Sequence, residues 1–225
     1  MVGNSSGVVR NRRTRSSTTA GSRAGILRIL EPHLNVCRWR RSISRRFLSE
    51  LAEVTKTAPK QVASLDHGGT TGSLVEALVP HAPVALTAWL TKDIEKVRVA
   101  FRLLNPGAPI VTQLEVVTSD KCRRFHADYK ALRAVCTYAG PSTQWVEDAA
   151  VDRVAIEDRS EATPMDVQNS RIVRSASAIR QASEGDVVLL KGDSFHAREG
   201  LGAVHRSPPI EASGLRRLVL TLDFA

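Results

Sequence analysis

Between residues 85 and 104, apolar side chains recur at three- and four-residue spacing: Leu86, Trp89, Leu90, Ile94, Val97, Phe101 and Leu104. That period predicts an amphipathic helix, ended by Asn105-Pro106-Gly107. A second helix is predicted over 44–56, capped by Ser44, with Phe47, Leu48, Leu51 and Val54 on one stripe. Residues 74–79 suit a helical turn stopped by Pro80 and Pro83. The stretch 57–73, with Pro59 and little periodicity, reads as a loop, and 26–39 as a short apolar segment with Trp39 turned inward.

Beyond Pro109 the period shortens to two. Residues 110–118, 132–138, 187–190, 203–205 and 218–224 are short β-rich runs separated by Gly, Pro, Ser and Asp. An acid- and Ser-rich insert fills 146–182, in which 172–179 is expected to form a helix over one sheet. On the last strand Leu218, Leu220, Leu222 and Phe224 share a bulky face, and Arg217, Val219, Thr221 and Asp223 share the other. Helices followed by strands argue for an α+β fold: a mainly helical segment, 26–108, packed on a C-terminal double-stranded β-helix of the jelly-roll or cupin-like kind, 109–225.

Charge changes the picture only at the front. Of 225 residues, the first 46 hold eleven Arg and a single acid, Glu31, for +10; the other 21 Lys+Arg and 22 Asp+Glu leave the rest at −1. Residues 1–25 are rich in Ser, Thr, Gly and Arg without acids or aromatics, and are predicted to be a disordered basic tail. Such a tail binds nucleic acid weakly and non-specifically, and organellar targeting is its alternative reading. The near-neutral body argues against a nucleic-acid-binding domain. Cys37, Cys122 and Cys136 are odd in number and lack zinc-ribbon spacing, which suits reduced thiols in the cytoplasm. No apolar run reaches the ~18 residues of a membrane helix, and no membrane partner is expected.

Candidate chemistry centres on FHADYKALRAVCTY, residues 125–138. Side chains two apart in extended chain point the same way, so His126 and Asp128 can chelate one divalent cation. His205 follows a glycine-rich turn and borders the apolar run 201–204, whereas His196 sits in a polar turn and is the rival third ligand. Two imidazoles and a carboxylate form the facial triad suited to non-haem Fe(II), with Zn or Mn as alternatives. A thiolate from Cys122 would favour zinc. The chain shows no phosphate-binding glycine loop, nucleophile elbow or zinc-finger spacing.

The blocks NVCRWRR, FHADYKALRAVCTYAGP, GDVVLLKGDSFHAREGLGAVHRSPP and RRLVLTLD occur in the order of the family known as domain of unknown function 1826, which this chain resembles over 35–225. More loosely, the chain resembles the 2-oxoglutarate- and Fe(II)-dependent oxygenases, hydroxylases of the prolyl-hydroxylase type above all. That second resemblance implies His126, Asp128 and His205 as metal ligands, with Arg217 holding the distal carboxylate of 2-oxoglutarate. Thr137, Tyr138 and Thr221 are expected around the same cosubstrate, and the substrate is an unidentified small molecule or protein. Arg217 follows His205 by twelve residues, slightly more than is usual, with Pro208-Pro209 between. The competing expectation is a non-catalytic, cupin-like metal-binding protein in metal homeostasis or sensing.

Overall fold

The second half of the chain passes back and forth between two sheets. In this computed structural model residues 15–65, 70–158, 160, 162–196 and 200–225 are described. The strand β4 (Ile110–Val117) lies in a large sheet, and His126 then pairs briefly in a small one. Next, β5 (Leu132–Ala139) returns to the large sheet, while β6 (Gln144–Val146) and β7 (Ile179–Gln181) belong to the small one. Finally β8 (Val187–Lys191) is in the large sheet, β9 (His205–Arg206) in the small, and β10 (Arg217–Phe224) in the large. This winding, with sheet orders β8-β5-β10-β4 and β7-β6-β9, is a double-stranded β-helix.

Three earlier strands widen the large sheet: β1 (Ser17–Ala20), β2 (Val36–Trp39) and β3 (Gln61–Leu65) give the full order β1-β2-β8-β5-β10-β4-β3. The boundary predicted at 108/109 is therefore no break, because one sheet runs across it. The tail prediction for 1–25 also needs correction. Residues 1–14 lie outside the described ones, but Ser17–Ala20 pair in parallel with β2, and Ser16 and Ser17 bond the Glu147 carboxylate. Composition hid this because a short edge strand needs backbone partners, not apolar side chains. The same holds for β3 within the predicted loop 57–73; of the five residues of β3 only Leu65 is buried.

The helices α1 (Arg45–Thr57), α2 (Thr71–Leu78) and α3 (Val84–Arg102) cover the outer face of the large sheet. In α3 the predicted stripe is inside: Leu86, Leu90, Ile94, Val97 and Phe101 are buried against Leu218, Leu220 and Leu222 of β10. Phe224 stacks on Phe101 with ring centroids 4.3 Å apart. Each such side chain contributes roughly 1.5–3 kcal/mol by leaving water. Ser44 precedes α1 but makes no side-chain cap bond.

The insert after β6 folds on itself as α4 (Arg153–Glu157) and α5 (Met165–Ile172) around Val151, Ile156, Ile172 and Val173. The helix predicted over 172–179 lies earlier: Ile172 ends α5, and Ile179 begins β7. Pro164 at the N-cap sets where α5 starts, a signal stronger than the apolar spacing of Ile172 and Ile179. Among the described residues no helix is long and apolar enough to cross a membrane.

Candidate metal centre

His126 and His205 face each other as a directly hydrogen-bonded antiparallel pair. The His126 N–H donates to the His205 carbonyl at 3.0 Å, and the His205 N–H donates back at 2.9 Å. Residues opposed in this way project their side chains to one face, which brings the rings to 4.7 Å between centroids. Asp128 is not part of the strand; its loop folds back so that its carboxylate meets both rings. His205 Nε2 is 3.4 Å from Asp128 Oδ2, and His126 Nε2 is 3.8 Å from Oδ1. One ligand atom from each of the three lies within 4.8 Å of the others.

The ring nitrogens are already assigned by their partners. His126 Nδ1 lies 2.8 Å from the Arg124 carbonyl and His205 Nδ1 2.9 Å from the Ala203 carbonyl. A carbonyl only accepts, so each Nδ1 carries the proton, which leaves Nε2 as the ligand atom of each ring, on the side of Asp128. Burial pushes the His205 pKa down to about 4; the neighbouring His126 adds to this and Asp128 opposes it. The imidazole is therefore neutral at pH 7, as a ligand must be. A donor set of two imidazoles and one carboxylate, with its ligand atoms within 4.8 Å of one another, fits a divalent transition metal.

Beside this group lies a cavity of about 290 Å³, lined by His126, His205, Arg133, Ser207, Arg217, Val219 and Thr221 among others. Period two of β10 puts Arg217, Val219 and Thr221 on its wall and Asp223 beyond them, as the alternation predicts. Arg217 is 2% exposed. It donates to Ser207 Oγ at 2.7 Å and Thr137 Oγ1 at 3.3 Å, its Nε is buried without a partner, and no carboxylate pairs with it among the described residues. Burial lowers its pKa to about 10, so it remains a cation.

Tyr138 corrects a prediction. It faces the helices, fully buried, and its hydroxyl donates to Asp93 Oδ2 at 2.8 Å, with Trp89 against its edge. Adjacent strand residues point to opposite faces, so Thr137 and Tyr138 cannot both face one cavity; Thr137 accepts from Arg217, on the face away from the helices. Cys122 is exposed in a left-handed backbone conformation at the cavity mouth and stands outside the ligand group. His196 is exposed in its turn and also stands outside it.

Sequence reasoning missed the residues that hold the site together. Arg133 donates to Asp128 Oδ2 at 2.8 Å and grips both oxygens of Asp223, each at 2.8 Å. These two are direct cross-strand partners of β5 and β10. Arg124 ties the insert down by donating to Gln168 Oε1 and the Ala155, Ile156 and Asp158 carbonyls. Asn169 accepts from the Phe125 N–H and donates to the Arg123 carbonyl, as a strand would. The period-two pattern carried a signal for Arg133 and Asp223; nothing local marked Asn169.

The fold is similar to that of solved structures. A dioxygenase for auxin oxidation from rice is similar over 94% of this chain and 83% of its own, with 11% identity and a TM-score of 0.52. A prolyl-4-hydroxylase from Pseudomonas putida aligns over 90% and 98%, with 12% identity and a TM-score of 0.45. At such identity the likeness speaks for the fold alone. No curated protein sequence matches the chain. A sequence profile matches residues 21–223, nearly all that is described, and by it the chain belongs to the family described as "Protein of unknown function (DUF1826)".

Proposed function

We propose that the protein is a non-haem Fe(II)- and 2-oxoglutarate-dependent oxygenase of the hydroxylase type. The observation that carries this reading is one cavity lined by two members of the group, His126 and His205, and by a buried arginine that forms no ion pair with a carboxylate among the described residues. A buried, unpaired guanidinium is costly unless an anion reaches it. A dicarboxylate spanning the cavity answers both features, with one end at the triad and the other at Arg217.

Fe(II) and 2-oxoglutarate, held by these residues, would supply the oxidising chemistry: dioxygen would be consumed, with one oxygen atom entering the substrate and the other succinate, and carbon dioxide released. The chain supplies the surroundings. His126, Asp128 and His205 would hold the metal from one side and leave the cavity side open. Arg217, fixed by Ser207 and Thr137, orients the cosubstrate with a charge-assisted fork. Val135 and Val219 on the cavity wall keep water out. An open trough of about 840 Å³, lined by His126 and Asp128 together with Ala127, Tyr129 and Met165, adjoins the group and offers room for a substrate.

Calorimetric titration of 2-oxoglutarate into Mn(II)-loaded protein tests the reading. Binding is expected, and Arg217→Ala should weaken it about 10- to 100-fold, the worth of a charged hydrogen bond, while leaving Mn(II) affinity unchanged. Absence of 2-oxoglutarate binding, together with zinc held far more tightly than iron, would replace this reading with a non-catalytic metal-binding protein.

A further inference from the structure

Resting on the metal-centre reading above, we infer that Arg133 and Asp223 form a clamp that positions Asp128 as a one-oxygen ligand. Three observations converge on Asp128. Its Oδ2 accepts from Arg133, whose Nε and Nη2 are locked on Asp223 in a two-bond fork. Its carbonyl accepts from the Asp193 N–H at 2.7 Å. Its loop runs so close to Gly192 that a Cβ there would lie 2.4 Å from the Asp128 oxygen and 1.7 Å from that of Lys130. Backbone and side chain of Asp128 are thus fixed independently. With Oδ2 engaged, Oδ1 is the oxygen left for a cation. The clamp also links the ligand to β10, the strand that carries Arg217 at its other end.

Arg133 could instead matter only as a charge, and the two roles have opposite signs. Removing a cation beside a metal site raises metal affinity by relieving Coulomb repulsion; removing a positioning group lowers it. The paired variant Arg133→Met/Asp223→Asn deletes one charge of each sign and leaves the net charge unchanged. Co(II) is the probe, followed by titration and by its visible spectrum, which reports ligand geometry. The paired variant should bind Co(II) about 10- to 100-fold more weakly, the usual cost of losing an outer partner of a ligand, with an altered spectrum. Parent-like affinity and spectrum would overturn the clamp.

Arg133→Lys keeps the charge and loses the fork, so intermediate affinity is expected. It decides the matter if the paired variant does not fold, parent-like Co(II) binding again overturning the clamp. His205→Ala separates the two claims. If the parent fails to bind Co(II), or His205→Ala binds it equally well, the metal-centre reading falls and the clamp with it. If His205→Ala loses binding while the clamp variants keep it, only the clamp falls.

Discussion

At the scale of single residues, the centre is built from groups whose ordinary behaviour is altered by burial. His205 is buried beside a second imidazole, and its pKa falls to about 4, whereas an unfolded chain would protonate it near the ordinary value of ~6.5. The unfolded state therefore binds more protons between these values. Above the unfolded value both states are neutral and His205 costs nothing; as pH falls through the window to about 4, the folded state loses stability. Linkage limits the slope to about 1.4 kcal/mol per pH unit for one proton. Urea unfolding of metal-free protein from pH 7 to pH 4 should show this fall, and His205→Gln should flatten it. Equal slopes for the two proteins would mean that burial does not control this histidine.

At the scale of elements, the insert is fastened to the metal-binding segment by side chains acting as backbone. Asn169, buried on α5, occupies the Phe125 N–H at 2.8 Å and the Arg123 carbonyl at 3.1 Å. Asn169→Ala would leave both without a partner, and a buried unpaired group costs about 1–3 kcal/mol. Faster amide exchange at Phe125 is expected, with a global loss of about 2 kcal/mol in denaturant unfolding. Unchanged exchange at Phe125 would show that the insert docks by its apolar core alone. The sequence foretold elements according to how their burial was encoded. The helix α3 and strand β10 show clear periods because each buries one face, and these periods alone place Phe101, Leu220 and Arg217 correctly. The imidazole pair was foreseeable in type, since His-x-Asp and a distal His suit one cation. Its closeness depends on a two-residue bridge between 126 and 205, too short to leave a period. β1, β3 and α5 were misread because backbone pairing, an edge position and a proline cap decide them, not apolar spacing. Tyr138 was misread for want of applying the period of two to its neighbour Thr137.

For the molecule as a whole, residues 17–20 of the basic front end join the sheet, and residues 1–14 lie outside the described ones. The Ser16 carbonyl accepts from the Asn35 and Val36 N–H groups, the Ala20 carbonyl accepts from the Arg40 N–H, and Ser16 donates to Glu147 across the sheets. Deleting residues 1–25 removes all of these, together with β1. Each net hydrogen bond is worth about 1 kcal/mol, and at this size each kcal/mol shifts the midpoint by about 2–4 °C. A fall on the order of 10 °C is expected from that deletion. Deleting only 1–14 removes Arg10, Arg12 and Arg13 and none of these bonds, so the midpoint should stay at the parent value. The body beyond residue 46 sums to −1, so the arginines of the front end are the source of any attraction to phosphates. Each arginine contacting double-stranded DNA contributes about −0.9 to the slope of log affinity against log salt. Loss of the three should make the slope shallower by up to about 3. Thermal scans and DNA titrations at several salt concentrations on the two truncated proteins check both halves of the prediction. A midpoint for the shorter deletion as low as that for the longer one, or a salt slope unmoved by it, would assign the first fourteen residues to the fold and not to polyanion binding.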